Sequence, residues 1–222
     1  MFEQDSIADI HEDKLVEYLL TDPYWRQWMF GHYGIPSDPI YQDRLLLNTV
    51  PGGLPRKGDI DILLCGKGRF EEAVAYQVKR VKVGLAQLQA RTPGKLKGIQ
   101  EGVRQANDLA DIGFWKVYLY IFALIDAREL NLLGDDRIHF NEINHKIQLA
   151  INSSLQTLQN RIGVFTVELV QATDSHPMTF DHSHGHLRRP GEPVTQSYEL
   201  TKWVSEQLKA HTGFLRRSAA TP

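Results

Sequence analysis

Val117–Ile125 (VYLYIFALI) is the segment that most restricts how this chain can fold, because it places nine apolar residues in a row between Lys116 and Asp126. A membrane-spanning helix needs roughly 20 such residues, so this run is too short to span. Its aromatic and β-branched side chains favour an extended backbone. The run therefore predicts a buried strand over Lys116–Asp126, and no membrane partner is expected.

Alternation and helical spacing place the other elements around that strand. Ile10, Leu15, Tyr18 and Leu19 recur at helical spacing and predict a first helix over Asp9–Leu20, with Asp9 or Ser6 as cap and Asp22-Pro23 as stop. The stretch from Pro23 to Gln42 is rich in aromatics and turn formers and reads as an irregular lobe. Arg44–Val50 predicts a strand. Asp59–Leu64 (DIDILL) alternates, which places Asp59 and Asp61 on one face and Ile60 and Ile62 on the other. In Ala73–Val83 (AVAYQVKRVKV), Ala73, Ala75, Gln77 and Lys79 fall on one side and Val74, Tyr76 and Val78 on the other. The short glycine-containing loop between these two segments predicts a hairpin.

Leu96, Ile99, Val103, Ala106, Leu109 and Ala110 form one stripe, predicting a helix over Lys95–Asp111 that Gly113 ends. A helix over Glu142–Leu158, a strand over Gly163–Gln171, a polar histidine-rich loop from Thr173 to Pro193 and a helix over Ser197–His211 follow. The order predicts a mixed α/β fold, with a central sheet flanked by helices. At 222 residues the chain is expected to form a single domain, 1–222.

The hairpin carries the chemistry. Asp59 and Asp61 near the end of one strand, with Gln77 and Lys79 two apart on the next, bring carboxylate, amide oxygen and ammonium to one face. A hard divalent ion such as Mg2+ takes oxygen ligands, commonly one or two carboxylates with water and substrate phosphate completing the shell. Asp61 and Gln77 suit that role. A neighbouring ammonium can orient an attacking water and offset charge building on a phosphate, which suits Lys79. The plainer alternative is that the acids are exposed strand residues and that Lys79 belongs to a solvated edge.

The pattern G-D-I-D-I-L, a spacer, then A-Y-Q-V-K-R resembles the core of the PD-(D/E)xK nuclease superfamily in its D…QxK form, found in methylation-directed restriction endonucleases and related defence nucleases. The resemblance implies a restriction-endonuclease-like αβββαβ core over about residues 9–126, with a C-terminal α/β extension over about 127–222. It further implies that Asp61 and Gln77 bind the metal and that Lys79 is catalytic, with Asp61 preferred to Asp59. The string H-E-D-K-L-V-E-Y-L-L resembles the first helix of the Holliday-junction resolvase-like branch. It points to Glu12 as a further catalytic and metal-site acid, with Glu17 in reserve. Gln77 stands where the superfamily usually has an acid, which removes one negative charge from the site. The implied function is Mg2+- or Mn2+-dependent hydrolysis of DNA phosphodiester bonds in defence, repair or recombination, and a homodimer is the expected assembly. The alternative is a nuclease-fold module that binds nucleic acid or a protein without catalysis.

A net charge of -2, from 25 Lys and Arg against 27 Asp and Glu, excludes a basic protein that coats DNA. The charges are segregated, however. Residues 79–104 hold Lys79, Arg80, Lys82, Arg91, Lys95, Lys97 and Arg104 against the single acid Glu101. Arg80, Lys82, Lys95 and Lys97 are candidate phosphate contacts, and equally residues of a solvated face. Gln105 on the following helix joins the candidates through the resemblance, because some members use a glutamine there.

Other clusters read as less specific. His176, His182, His184 and His186 are read as a solvated loop in preference to a transition-metal site. Trp25, Trp28, Phe30 and Tyr33 read as a satellite core or as stacking residues. The single cysteine, Cys65, reads as a small buried residue. It has no partner for an internal disulfide, and the acidic N-terminal segment lacks the pattern of a secretory signal, so a cytoplasmic setting is expected.

Overall fold

The computed structural model describes residues 6–21, 39–46, 59–83, 97–128, 137–171 and 182–210. In chain order the elements are α1 (Glu12–Thr21), β1 (Pro39–Leu46), β2 (Asp59–Gly66), β3 (Val74–Val83), α2 (Lys97–Ile112) and β4 (Lys116–Asp126). They continue with α3 (Arg137–Ser154), β5 (Gly163–Gln171), β6 (His182–Arg189) and α4 (Tyr198–Ala210). The first six give the expected order αβββαβ. The six strands form one mixed sheet in sequence order: β1, β2 and β3 are antiparallel, β3, β4 and β5 are parallel, and β6 is antiparallel to β5.

β4 lies at the centre, and its apolar run follows from burial on both faces. Val117, Leu119, Ile121, Ala123 and Ile125 pack with the buried stripes of α2, α3 and α4. Tyr118, Tyr120, Phe122 and Leu124 pack on the opposite face with Ile7, Ile10 and Leu15 of the N-terminal segment. The sheet is thus covered on both sides by helices. β3 splits as its alternation predicts, with Val74, Tyr76 and Val78 on the α1 side and Ala75, Val81 and Val83 on the α2 side.

Close contact explains one glycine at the start of β5. A Cβ built at Gly163 would lie 2.2 Å from Cε1 of Tyr118 and 2.7 Å from the backbone nitrogen of Gly191. Tyr118 is held by its stack on Tyr76, with ring centroids 5.5 Å apart. Gly163→Ala is expected to cost about 1–3 kcal/mol through overpacking. Urea denaturation measures it, and an unchanged midpoint would contradict the packing described.

Several elements depart from the expectations. α1 starts at Glu12, not Asp9, because Ile7–Asp9 form a 3-10 turn in which Ile10 N–H donates to Ile7 C=O. Burial of Ile7 and Ile10, three apart, satisfies a 3-10 turn as well as an α-helix. Ser6 does not cap the helix, since its hydroxyl donates to Asp126. β1 covers Pro39–Leu46 rather than 44–50. Its register runs the whole length of β2, and proline at its first position requires no ladder donor. α3 ends at Ser154, where the Ser153 and Ser154 hydroxyls both donate to the Ala150 carbonyl and compete with the helical ladder. Leu158 is still buried beyond that end, which is why the apolar spacing continues.

The histidine-rich segment, expected as a loop, contributes edge strand β6 instead. Its pairing with β5 comes from backbone hydrogen bonds, which an apolar pattern need not announce. Ile60 and Ile62 do not share a face: Ile60 packs on the α2 side and Ile62 on the α1 side. β2 pairs with β3 only from Ile62 to Leu64, so Ile60 lies ahead of the stretch whose facing is fixed by both neighbours. Among the described residues no helix is long and apolar enough to cross a membrane.

Asp126, at the end of β4, gives a pH signature. The Arg128 guanidinium, with help from the Ser6 hydroxyl, holds its carboxyl at about 2 against the usual 3.8. A depressed pKa stabilises above the unfolded value and loses that contribution as pH falls through the folded one. The stability difference between wild type and Asp126→Asn is therefore expected to be constant above about pH 5 and to be largely lost by about pH 2. Acid titration of the two proteins measures it, and a difference that persists in full at pH 2 would contradict the assignment.

Candidate active site at the fork between β2 and β3

β3 runs on past its pairing with β2. The two strands are in register only over Ile62–Leu64 with Val74–Tyr76, whereas β3 stays on β4 to Val83. Backbone N–H groups on that freed stretch need acceptors, since a buried unpaired donor is costly. Two carboxylates serve in place of a strand. Asp61 Oδ2 accepts from the N–H of Val78 at 2.6 Å, and Glu12 Oε2 accepts from the N–H of Arg80 at 3.2 Å. The fork thus draws an acid of β2 and the first residue of α1 onto one stretch of β3.

Asp61 and Gln77 form the buried half of the site. Asp61 is 8% exposed and Gln77 is fully buried. Gln77 Nε2 donates to Asp61 Oδ2, and its Oε1 is buried without a hydrogen-bond partner. An orphaned amide oxygen costs free energy unless something fills its place. The amide nitrogen is the atom that faces Asp61, and turning the amide over would set the oxygen beside the carboxylate instead. That donor pair fits a hard divalent cation, which binds such neutral and anionic oxygens and keeps water in the rest of its shell. Asp61 and Gln77 would hold the ion. Among the described residues no group of three or more His, Cys, Asp or Glu side chains is arranged to hold a metal, so the fit rests on the amide oxygen as a ligand.

Lys79 forms the other half. Its side chain is 11% exposed, and Nζ lies 2.9 Å from Glu12 Oε1. The stem passes against Gly102 of α2, where an added Cβ would come within 2.4 Å of Lys79 Cγ and 3.1 Å of Leu119 Cδ1. The absent side chain at Gly102 is thus what lets Lys79 lie between sheet and helix. Gln105 is one turn further along α2, 8% exposed, and its Oε1 is also buried without a partner. Asp108, another turn on, is paired with Arg104 at 3.0 Å.

The structure therefore brings Asp61, Gln77, Lys79 and Glu12 together. Glu17, the reserve acid, is exposed on α1 and pairs with Lys14 at 2.7 Å. Of the candidate phosphate contacts, Lys82 is exposed and pairs with Asp9 at 3.1 Å. Arg80 turns inward, with its guanidinium donating to the Ile10 carbonyl. Lys95, His176 and the aromatics at 25, 28, 30 and 33 lie outside the described residues, as do the side chains of Asp59 and Lys97. Cys65 is buried, and burial, with a smaller effect of Glu71, pushes its thiol up to about 12. It is no nucleophile at neutral pH.

Sequence reasoning passed over Gly102, although a lone glycine inside an otherwise regular amphipathic helix marks close approach by a neighbour. Asp9, expected as a helix cap, pairs instead with Lys82, 73 residues away, a partner that carries no local signal.

No protein-family model matches the chain, and no curated protein matches it. Among solved structures, SfsA of Pyrococcus furiosus, in complex with Ca2+, is similar at a TM-score of 0.32 with 10% sequence identity, over 82% of this chain. The chain matches about 65% of the length of that protein. A likeness that distant carries no argument about family or activity, so the functional reading rests on the fork itself.

Proposed function

We propose that the fork between β2 and β3 is a PD-(D/E)xK-type nuclease centre that hydrolyses DNA phosphodiester bonds with a divalent ion. The observation that carries this reading is the buried Asp61–Gln77 pair, with its unpartnered amide oxygen, on the strand that also presents ion-paired Lys79. The element order αβββαβ is consistent with it. A divalent ion bound at Asp61 and Gln77 supplies an activated water and positive charge against the phosphate.

The remaining work falls to the chain. Asp61 is fixed by the Val78 N–H, so its orientation is set by the backbone of β3. Lys79 emerges from the groove beside Gly102 with its ammonium steered by Glu12. From there it orients the attacking water and offsets charge that grows on the phosphate oxygens. Glu12 acts mainly through Lys79, since its two oxygens are engaged by Lys79 and the Arg80 N–H. Lys82, exposed two residues further along β3, is a phosphate contact.

A second reading, a nuclease-fold module that binds without cutting, is favoured by one observation. Asp61 Oδ2 already accepts from both Gln77 and Val78, which satisfies that oxygen without a cation. Incubation of plasmid and linear DNA with Mg2+, Mn2+ or EDTA separates the two. The nuclease reading expects nicking or linearisation with either ion and none in EDTA. Intact DNA and RNA under every condition would turn the assignment to the binding module.

Gln77→Glu gives a readout independent of cleavage. The change replaces the donor to Asp61 with a second buried carboxylate. Two carboxylates in contact repel unless a cation or proton lies between them. The variant is expected to unfold at a lower temperature than wild type in EDTA, by about 5–10 °C. It should then recover more stability than wild type does on adding Mn2+. Scanning calorimetry with and without the ion measures it, and an equal response of the two proteins would place the cation elsewhere.

A further inference from the structure

Residues 6–12 are tied to the sheet at points far apart in sequence. The Ser6 hydroxyl donates to Asp126 Oδ2 at the end of β4, at 2.5 Å and 120 residues away. The Ile7 N–H donates to Gln171 Oε1 at the end of β5, at 2.8 Å and 164 residues away. Asp9 meets Lys82, the Ile10 carbonyl accepts from the Arg80 guanidinium, and Glu12 then reaches Lys79. β5, β4 and β3 are parallel neighbours. The contacts therefore cross the carboxyl-terminal ends of three adjacent strands, from β5 to β3, and stop at the fork.

The anchoring end is the well-buried one. Gln171 and Ile7 are fully buried and Ser6 is 8% exposed. The Glu12 and Lys79 side chains, at 31% and 11% exposed, lie nearer to solvent. A partly exposed ion pair is a weak organiser of its own geometry, because holding two long side chains in one arrangement costs entropy that solvent-screened attraction barely offsets. The Arg80 N–H holds the other Glu12 oxygen, and the strap adds to it by fixing the backbone on which α1 begins.

We propose that Ser6, Asp126 and Gln171 are positioning residues, holding the strap 6–12 across the strand ends so that Glu12 is delivered to Lys79. The catalytic consequence rests on the nuclease reading above, whereas the positioning itself does not. Asp126 and Gln171 lie outside the αβββαβ hairpin chemistry: one closes the core's last strand and the other belongs to the C-terminal extension. On this account β5 contributes to the site through Gln171 although no β5 side chain is assigned to the chemistry.

The test uses the full chain and an amine-acetylating reagent, with the labelling rate of each lysine followed by mass spectrometry. Lys202, exposed on α4, serves as the reference. The buried Cys65 thiol reports global opening through a thiol reagent. Ser6→Ala and Gln171→Leu are each expected to raise Lys79 labelling about fivefold, with Cys65 still unreactive and Lys202 unchanged. Ser6→Thr, which keeps the hydroxyl, should restore the wild-type rate. Glu12→Gln should give the same increase, and Glu12→Gln combined with Ser6→Ala no more than either alone, because both act through one contact.

An unchanged Lys79 rate in both anchor variants would overturn the proposal. So would additive effects in the double variant, or Lys79 and Cys65 becoming reactive together in Ser6→Ala, the milder change. DNA cleavage by the same proteins separates this proposal from the nuclease reading. Labelling as expected with no cleavage by any protein leaves the strap standing and removes the nuclease; equal cleavage and equal labelling throughout does the reverse.

Discussion

Lys79→Met is expected to lower kcat for DNA cleavage by about 10³-fold, equivalent to about 4 kcal/mol of transition-state stabilisation, with little change in KM. Methionine retains an unbranched stem for the groove beside Gly102, so the packing against α2 is kept while the ammonium is lost. Glu12 keeps its hydrogen bond from the Arg80 N–H. The variant should therefore unfold within about 1 kcal/mol of wild type, as expected when a partly exposed ion pair is removed. That separation of rate from stability is the point of the experiment. Single-turnover cleavage of a plasmid in Mg2+ gives the rate and urea denaturation gives the stability. A variant that cuts at the wild-type rate would remove Lys79 from the chemistry. One that loses both activity and fold would show the lysine to be structural.

Asp61→Ala is expected to lose activity and stability together. The carboxylate accepts from the Val78 N–H and from Gln77 Nε2 inside the fork. Alanine leaves both buried donors unsatisfied, at about 1–3 kcal/mol each. A loss of about 3 kcal/mol corresponds to a fall in Tm on the order of 10 °C for a chain of this length. Asp61→Asn isolates the charge, because its amide oxygen can still accept from both donors. It should retain most of the stability and lose the cleavage. If Asp61→Ala unfolds like wild type, the carboxylate is not the ladder substitute that the fork geometry describes.

The site was legible because its chemistry is concentrated in two short alternating segments. Alternation alone put Ala75 and Lys79 on one side of β3 and Val74, Tyr76 and Val78 on the other, as the two core clusters and the packing of Lys79 against Gly102 have it. The apolar run of β4 and the Gly113 stop of α2, at φ 98°, were equally plain. What stayed hidden has a common physical cause: it depends on backbone pairing or on partners remote in the chain. β6 (HSHGHLRR) forms because the edge of β5 offers hydrogen bonds, and its side chains show no apolar period. β1 is likewise set by its register on β2.

Arg80 shows the same limit from the other side. Its place in a basic run suggested a phosphate contact, yet the 3-10 turn ahead of α1 brings the Ile10 carbonyl within its reach. A charge count could not separate it from Lys82, which is exposed. Buried Glu168, hydrogen-bonded by Gln148 of α3, carried no sequence signal either.

The central claim is that Asp61 and Gln77 form a divalent-ion site. Calorimetric titration of the full chain with Mn2+ at neutral pH, comparing wild type with Asp61→Asn and Lys79→Met, tests it most directly. The account predicts binding to wild type and to Lys79→Met, and its loss in Asp61→Asn. Absence of binding to wild type, or binding that Asp61→Asn leaves unchanged, would contradict it.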